Sequence, residues 1–107
     1  MRCLESEMAK GELIRVTKYN RVPCRLLALV TSEPSAENKF DATVVMVKKN
    51  APKGEARFFV GEELWVEPTC VGIDTWAKVE PDDLTDKEIA ALGVWALMGD
   101  HHAQPEA

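Results

Sequence analysis

The chain has 107 residues and a net charge of −5, with 46% apolar residues, of which 26 are Leu, Ile, Val or Phe. That is one domain's worth of chain with enough apolar side chains for a core. The longest uncharged run, Ile89 to Gly99, is 11 residues and too short to cross a bilayer as a helix, and no basic start leads into an apolar signal-like stretch.

Residues 1–10 have no period and read as a terminal arm. Residues 13–19 are rich in β-formers and predict a strand, with Asn20 and Arg21 as turn residues and a second strand over 22–31. Pro23 fits only the start of that strand, because it cannot donate to a ladder. So short a connection implies an antiparallel hairpin. Residues 32–39 are polar and form a loop, and 42–48 predict a third strand. Asn50 to Gly54 reads as a turn, 55–60 as a strand, Gly61-Glu62 as a two-residue hairpin turn, and 63–67 as the next strand. A last short strand is expected over 75–79.

Thr85 followed by Glu88 is a capping box, flanked by Leu84 and Ile89 at the staple positions, with Asp86 and Glu88 where the helix dipole favours acids. A helix over 86–98 follows, with Gly99 just past its end and a frayed tail over 100–107. The reading is mainly β: a small antiparallel sheet of five or six strands, strongly bent or closed as an SH3-like or OB-like barrel, in a single domain over 11–99 with one C-terminal helix.

Charge is unevenly distributed. Residues 10–57 carry ten Lys/Arg against five Asp/Glu, whereas residues 58–107 carry two Lys against eleven Asp/Glu. The basic part, with Arg15, Lys18, Arg21, Arg25, Lys48, Lys49 and Lys53, suits an acidic partner, which includes a second copy of the chain. Duplex DNA is not expected to bind, because the acidic half opposes it.

Chemistry-bearing constellations are sparse. Cys3, Cys24 and Cys70 are scattered, which fits three reduced thiols in a cytoplasmic protein better than a zinc site or a Cys70 nucleophile. Asp100-His101-His102 lies on the tail and lacks the convergent ligands a metal needs. The carboxylate pairs Glu62-Glu63 and Asp82-Asp83 sit in turn-like sequence, and the six glycines are each isolated, so neither acid–base machinery nor a phosphate loop is indicated and no cofactor is expected.

Apolar residues are in surplus. Leu26 to Val30 and Val44 to Val47 are continuous runs, the pattern of strands buried on both faces. Ile89 to Met98 holds no charge, so the helix is apolar around most of its circumference, where a monomer's surface helix would turn Ile89, Leu92 and Ala96 inward and show polar residues at 90, 94 and 97. These features predict a homodimer through Gly93, Val94, Leu97 and Met98, with Phe58, Trp65 and Trp76 as walls of any small-ligand pocket. The functional expectation is a non-catalytic, self-associating β-barrel module that binds a protein or small ligand. The alternatives are a small enzyme with a carboxylate or cysteine site at a subunit boundary, and a nucleic-acid-binding barrel using Tyr19, Arg21 and Arg25.

Overall fold

The computed structural model describes residues 8–102, with side chains to Leu97. The expected arm therefore lies mostly outside the described residues, as do residues 103–107 of the expected tail. Five strands form one antiparallel sheet: β1 (Leu13–Tyr19), β2 (Val22–Val30), β3 (Phe40–Lys49), β4 (Glu63–Val66) and β5 (Thr75–Val79), in the order β4-β3-β2-β1-β5. One helix, α1 (Asp86–His102), follows.

The sheet curls into a half-barrel. Alternation along β1 sends Ile14 and Val16 inward, where they meet Leu26, Ala28, Val30, Phe40, Ala42, Val44, Leu64 and Val66. The opposite face holds a second cluster, Leu27, Val45 and Val79, with Leu13, Leu29, Met46, Leu92 and Trp95 around it. The two continuous apolar runs are thus buried on both faces, by curl on one side and by α1 on the other. A single helix covers only one face of a flat sheet; curling lets this sheet cover its own second face.

The β1–β2 turn is Asn20-Arg21, with φ of 53° and 67°, the left-handed pair that a two-residue hairpin requires. Arg21 is a strained choice there, and the turn is held from outside: Ile73 O accepts from Arg21 N at 2.9 Å and Asp74 Oδ1 from Asn20 N at 2.7 Å. Register shifts mark bulges at Thr17 of β1 against β5, at Cys24-Arg25 of β2 against β1, and at Val45 and Lys48 of β3 against β2.

The expected strand over 55–60 does not form. Asn50 intervenes: its Oδ1 accepts from Phe58 N and Ala51 N, both at 2.8 Å, and its Nδ2 donates to Phe58 O at 2.9 Å. The side chain takes the place of a strand partner, and residues 50–62 become a long connection into β4. The expected 60–63 hairpin pairing is replaced by bonds from Gly61 N to Val44 O and from Val44 N to Glu62 O.

The capping box forms as read, with Glu88 N donating to Thr85 Oγ1 at 3.1 Å and Thr85 N to Glu88 Oε1 at 2.9 Å. Leu84 packs on the sheet, but Ile89 faces solvent, 53% exposed. The helix also continues through Gly99 to His102, against the expected end at 98. A glycine inside a helix costs only about 1 kcal/mol, so it permits termination without imposing it.

Candidate functional site

Helix α1 lies along β3. Its first turn sits at the level of Lys48, and seven residues on, Trp95 lies over Gly61, whose backbone pairs with Val44. Glu88, Ala91, Leu92 and Trp95 face the sheet; Ile89, Ala90, Gly93, Val94, Ala96 and Leu97 face outward. The sequence expectation had Ile89, Leu92 and Ala96 inward. The helix is turned away from that orientation because its most buried residue is charged.

Glu88 is fully buried and binds cations from two strands. Arg15 Nε donates to its Oε2 at 2.9 Å and Arg15 Nη2 to its Oε1 at 2.8 Å, and Lys48 Nζ lies 2.7 Å from Oε2. Arg15 Nη2 also donates to Asp83 O at 2.7 Å. Hydrogen bonds from Arg15, then from Lys48 and Thr85 N, hold the Glu88 carboxyl well below the usual carboxylate range despite burial. The ion pairs fix the rotation of α1 and leave the Ile89, Val94 and Leu97 stripe in water.

Between α1 and β3 runs an apolar groove of about 420 Å³, lined by Val45, Met46, Val47, Val60, Ala91, Val94 and Trp95. Val94 is 57% exposed and Leu97 72%. Phe59, at 62%, adjoins Val60 in the chain. Gly93 is exposed, and a Cβ added there meets nothing within 4 Å. Of the four residues predicted to form an interface, Gly93, Val94 and Leu97 lie on this outward side; the side chain of Met98 lies outside the described residues.

The three aromatics predicted to line a pocket are not brought together. Phe58 is buried edge-on against Tyr19 and Trp76 edge-on against Phe40, both within the curled face, while Trp65 points outward. Phe58 and Trp76 close the half-barrel instead. Trp76 Nε1 donates to Glu67 O at 2.9 Å. Trp65 N donates to Tyr19 Oη at 3.0 Å, and the buried Asp74 accepts from Glu67 N at 2.8 Å as well as from Asn20 N. The β4 edge is therefore joined to the β1–β2 turn and to β5 by side chains rather than by a ladder.

The thiol expectation needs correcting. Cys24 is free and buried, and burial pushes its thiol up to about 11, which makes it a poor nucleophile. Cys70 is disulfide-bonded, so three reduced thiols do not describe this chain, and the cytoplasmic placement drawn from them loses that support. Cysteine spacing alone does not determine pairing. The pair Glu62-Glu63 caps local structure, accepting from Phe59 N and Thr43 Oγ1, and Asp82-Asp83 sits exposed in a short 3-10 turn, Pro81–Asp83. His101 and His102 fall within α1, with their side chains outside the described residues. Among the described residues no group of His, Cys, Asp or Glu could hold a metal ion, and no helix is long and apolar enough to cross a membrane. No family model, curated protein or solved structure matches the chain.

Sequence reading did not reach the partners of Glu88 or the roles of Asp74 and Asn50. A carboxylate in a capping box carries no local sign that two strands will supply it with cations, and a polar residue next to a turn reads first as solvated.

Proposed function

We propose that this chain is a non-catalytic, self-associating half-barrel module whose interface is the outward side of α1 and the groove beside it. The observation that carries the reading is the uncharged face of Ile89, Gly93, Val94 and Leu97, continuous through Val94 with a groove that also takes in Val60. Covering the exposed half to three-quarters of Ile89, Val94 and Leu97 contributes roughly 1–2 kcal/mol each.

The occupant we assign is a second copy. The groove follows β3 from the level of Glu62, whose carbonyl accepts from Val44 N, to Val47, next to Lys48 and Lys49. It is thus acidic at one end, where Glu62 and Glu63 lie, and basic at the other. A twofold axis across its middle sets the acidic end of one copy against the basic end of its partner, while the small residues Ala90, Gly93 and Ala96 allow the helices to approach closely. A Cys24 held protonated, carboxylate pairs used in turns, and ligand-type aromatics spent on closing the barrel all favour binding over catalysis.

Sedimentation velocity and light scattering at micromolar to submillimolar concentration test this. The wild type should have twice the chain mass of 11.9 kDa. Val94→Glu and Leu97→Glu should return it to a single chain with unchanged circular dichroism. A monomeric wild type across that range overturns the proposal.

A further inference from the structure

On the same face of the sheet as α1, beyond its first turn, lies a second and smaller hollow of about 150 Å³, lined by Arg15, Val16, Thr17, Arg25, Leu26 and Lys48. It is built by irregular pairing. Between the pairs Val16↔Leu26 and Lys18↔Pro23, Cys24 and Arg25 of β2 stand opposite the single Thr17 of β1, and Lys48 is the extra residue of β3 between Arg25↔Lys49 and Leu26↔Val47. A bulge of β2 against β1 and a bulge of β3 against β2 thus fall at the same place, beside Arg25, and bring Thr17, Arg25 and Lys48 to one hollow. Bulges commonly re-aim side chains in this way at binding sites.

We infer that this hollow is a binding site for a phosphoryl group. Arg15, Arg25 and Lys48 converge on it from three adjacent strands, and Thr17 adds a hydroxyl that otherwise donates to Thr75 O at a long 3.4 Å. Glu88 neutralises one of the three cations and leaves two positive charges, the charge of a phosphate dianion. Glu88 also anchors two of the cations without exhausting them. Arg15 gives it Nε and Nη2, so both Nη1 hydrogens remain, and Lys48 meets one acceptor with a three-donor ammonium. Anchored cations with spare donors lose little side-chain entropy when an anion arrives. The side chain of Arg25 makes no hydrogen bond or ion pair among the described residues, and Lys49, its cross-strand neighbour, adds positive charge nearby. Asp83, whose carbonyl accepts from Arg15, is exposed, so water screens its carboxylate. Cations arriving from three strands suit the three or more oxygens of a phosphoryl group better than the two of a carboxylate.

The test is calorimetric titration of the full chain at low ionic strength with inorganic phosphate and with glycerol 3-phosphate, beside acetate as a monocarboxylate. Saturable phosphate binding is expected, localised by amide shifts at residues 15–17, 25 and 48. Arg25→Gln should weaken it about tenfold, the effect of removing one charge-assisted contact. The melting temperature should not move, because Arg25 is exposed and supports nothing else. Glycerol 3-phosphate binding as tightly as inorganic phosphate assigns the hollow to esters such as headgroups or phosphorylated metabolites; binding of inorganic phosphate alone assigns it to the free ion. No saturable binding, equal binding of acetate, or an affinity unchanged in Arg25→Gln overturns the inference. Arg25 and Thr17 are no part of the groove or of the outward side of α1, so a monomeric protein that binds phosphate, or a dimer that does not, separates this inference from the proposed association.

Discussion

Glu88 and Arg15, 73 residues apart in sequence, meet in a two-pronged ion pair in which the glutamate side chain is buried and the arginine side chain is about one-third exposed. The same Glu88 Oε1 accepts from Thr85 N and so completes the capping box. Initiation of α1 and its docking on the sheet therefore depend on one side chain. A one-residue shift or a rotation of the helix breaks both arrangements together, which defines the face that α1 shows to water.

Replacing Glu88 should expose this coupling in graded form. Glu88→Gln keeps the capping geometry and loses the charge, and should cost about 1–2 kcal/mol. Glu88→Ala loses both and should cost about 2–4 kcal/mol, at the lower part of the range for broken buried ion pairs because Arg15 and Lys48 can reach water. Urea unfolding measures this as a shift in midpoint at constant slope. Equal midpoints for the two variants would show that the capping contact of Glu88 adds nothing to stability once its charge is gone.

Stability should fall in acid partly through this one group. Folding holds the Glu88 carboxyl below its unfolded value of 4.5, chiefly through Arg15 and then Lys48. The unfolded chain thus binds the proton more readily, and the contribution is complete above the unfolded value and lost as pH falls toward the folded one. Thermal midpoints of wild type and Glu88→Gln should differ by a constant amount near neutrality and converge below about pH 4. A gap that stays constant into acid would mean that the carboxylate's charge contributes nothing.

Asp74 should matter for a different reason. Each of its oxygens accepts from a backbone N–H, Asn20 on the strained turn and Glu67 at the end of β4. Asp74→Asn leaves one of these buried donors facing an NH₂ group, and a loss of about 1–3 kcal/mol is expected. Amide hydrogen exchange at Asn20 and Glu67 should accelerate more than at Leu27 in the centre of the sheet. Unchanged exchange at both positions would show that the barrel closes without this bridge.

The contrast between legible and hidden features follows from range. Strands β1, β2 and β5 and the start of α1 are specified within a few residues, by alternation, by Asn20-Arg21 and by Thr85 with Glu88, and each is recovered close to its expected bounds. The two-sided burial of Leu26–Val30 was also legible, because only a doubly covered strand tolerates such a run. The inward placement of Ile89 was misread because helical periodicity ranks apolar residues first, whereas the docked face is led by a carboxylate whose cations come from β1 and β3. The aromatic pocket was misread for a related reason: Phe58 and Trp76 read equally well as ligand walls or core until Tyr19 and Phe40 are placed against them.

Asn50 offers the most local test of the fold. Its amide makes three bonds, to Ala51 N, Phe58 N and Phe58 O, and so holds together the ends of an exposed loop that carries Lys53 and Arg57. The clamp also seats Phe58 against Tyr19, with ring centroids 6.1 Å apart. Asn50→Ala removes all three bonds and should cost about 1–3 kcal/mol. Asn50→Asp should fare little better, because it sets a carboxylate oxygen against the Phe58 carbonyl where an N–H had donated. Opening of the loop is local, so trypsin should cut after Lys53 and Arg57 several-fold faster in both variants under conditions where the rest of the sheet stays folded. Cleavage at the wild-type rate would mean that Phe58 burial alone holds the loop, and the 55–60 segment would then have to avoid strand pairing for a reason other than the Asn50 clamp.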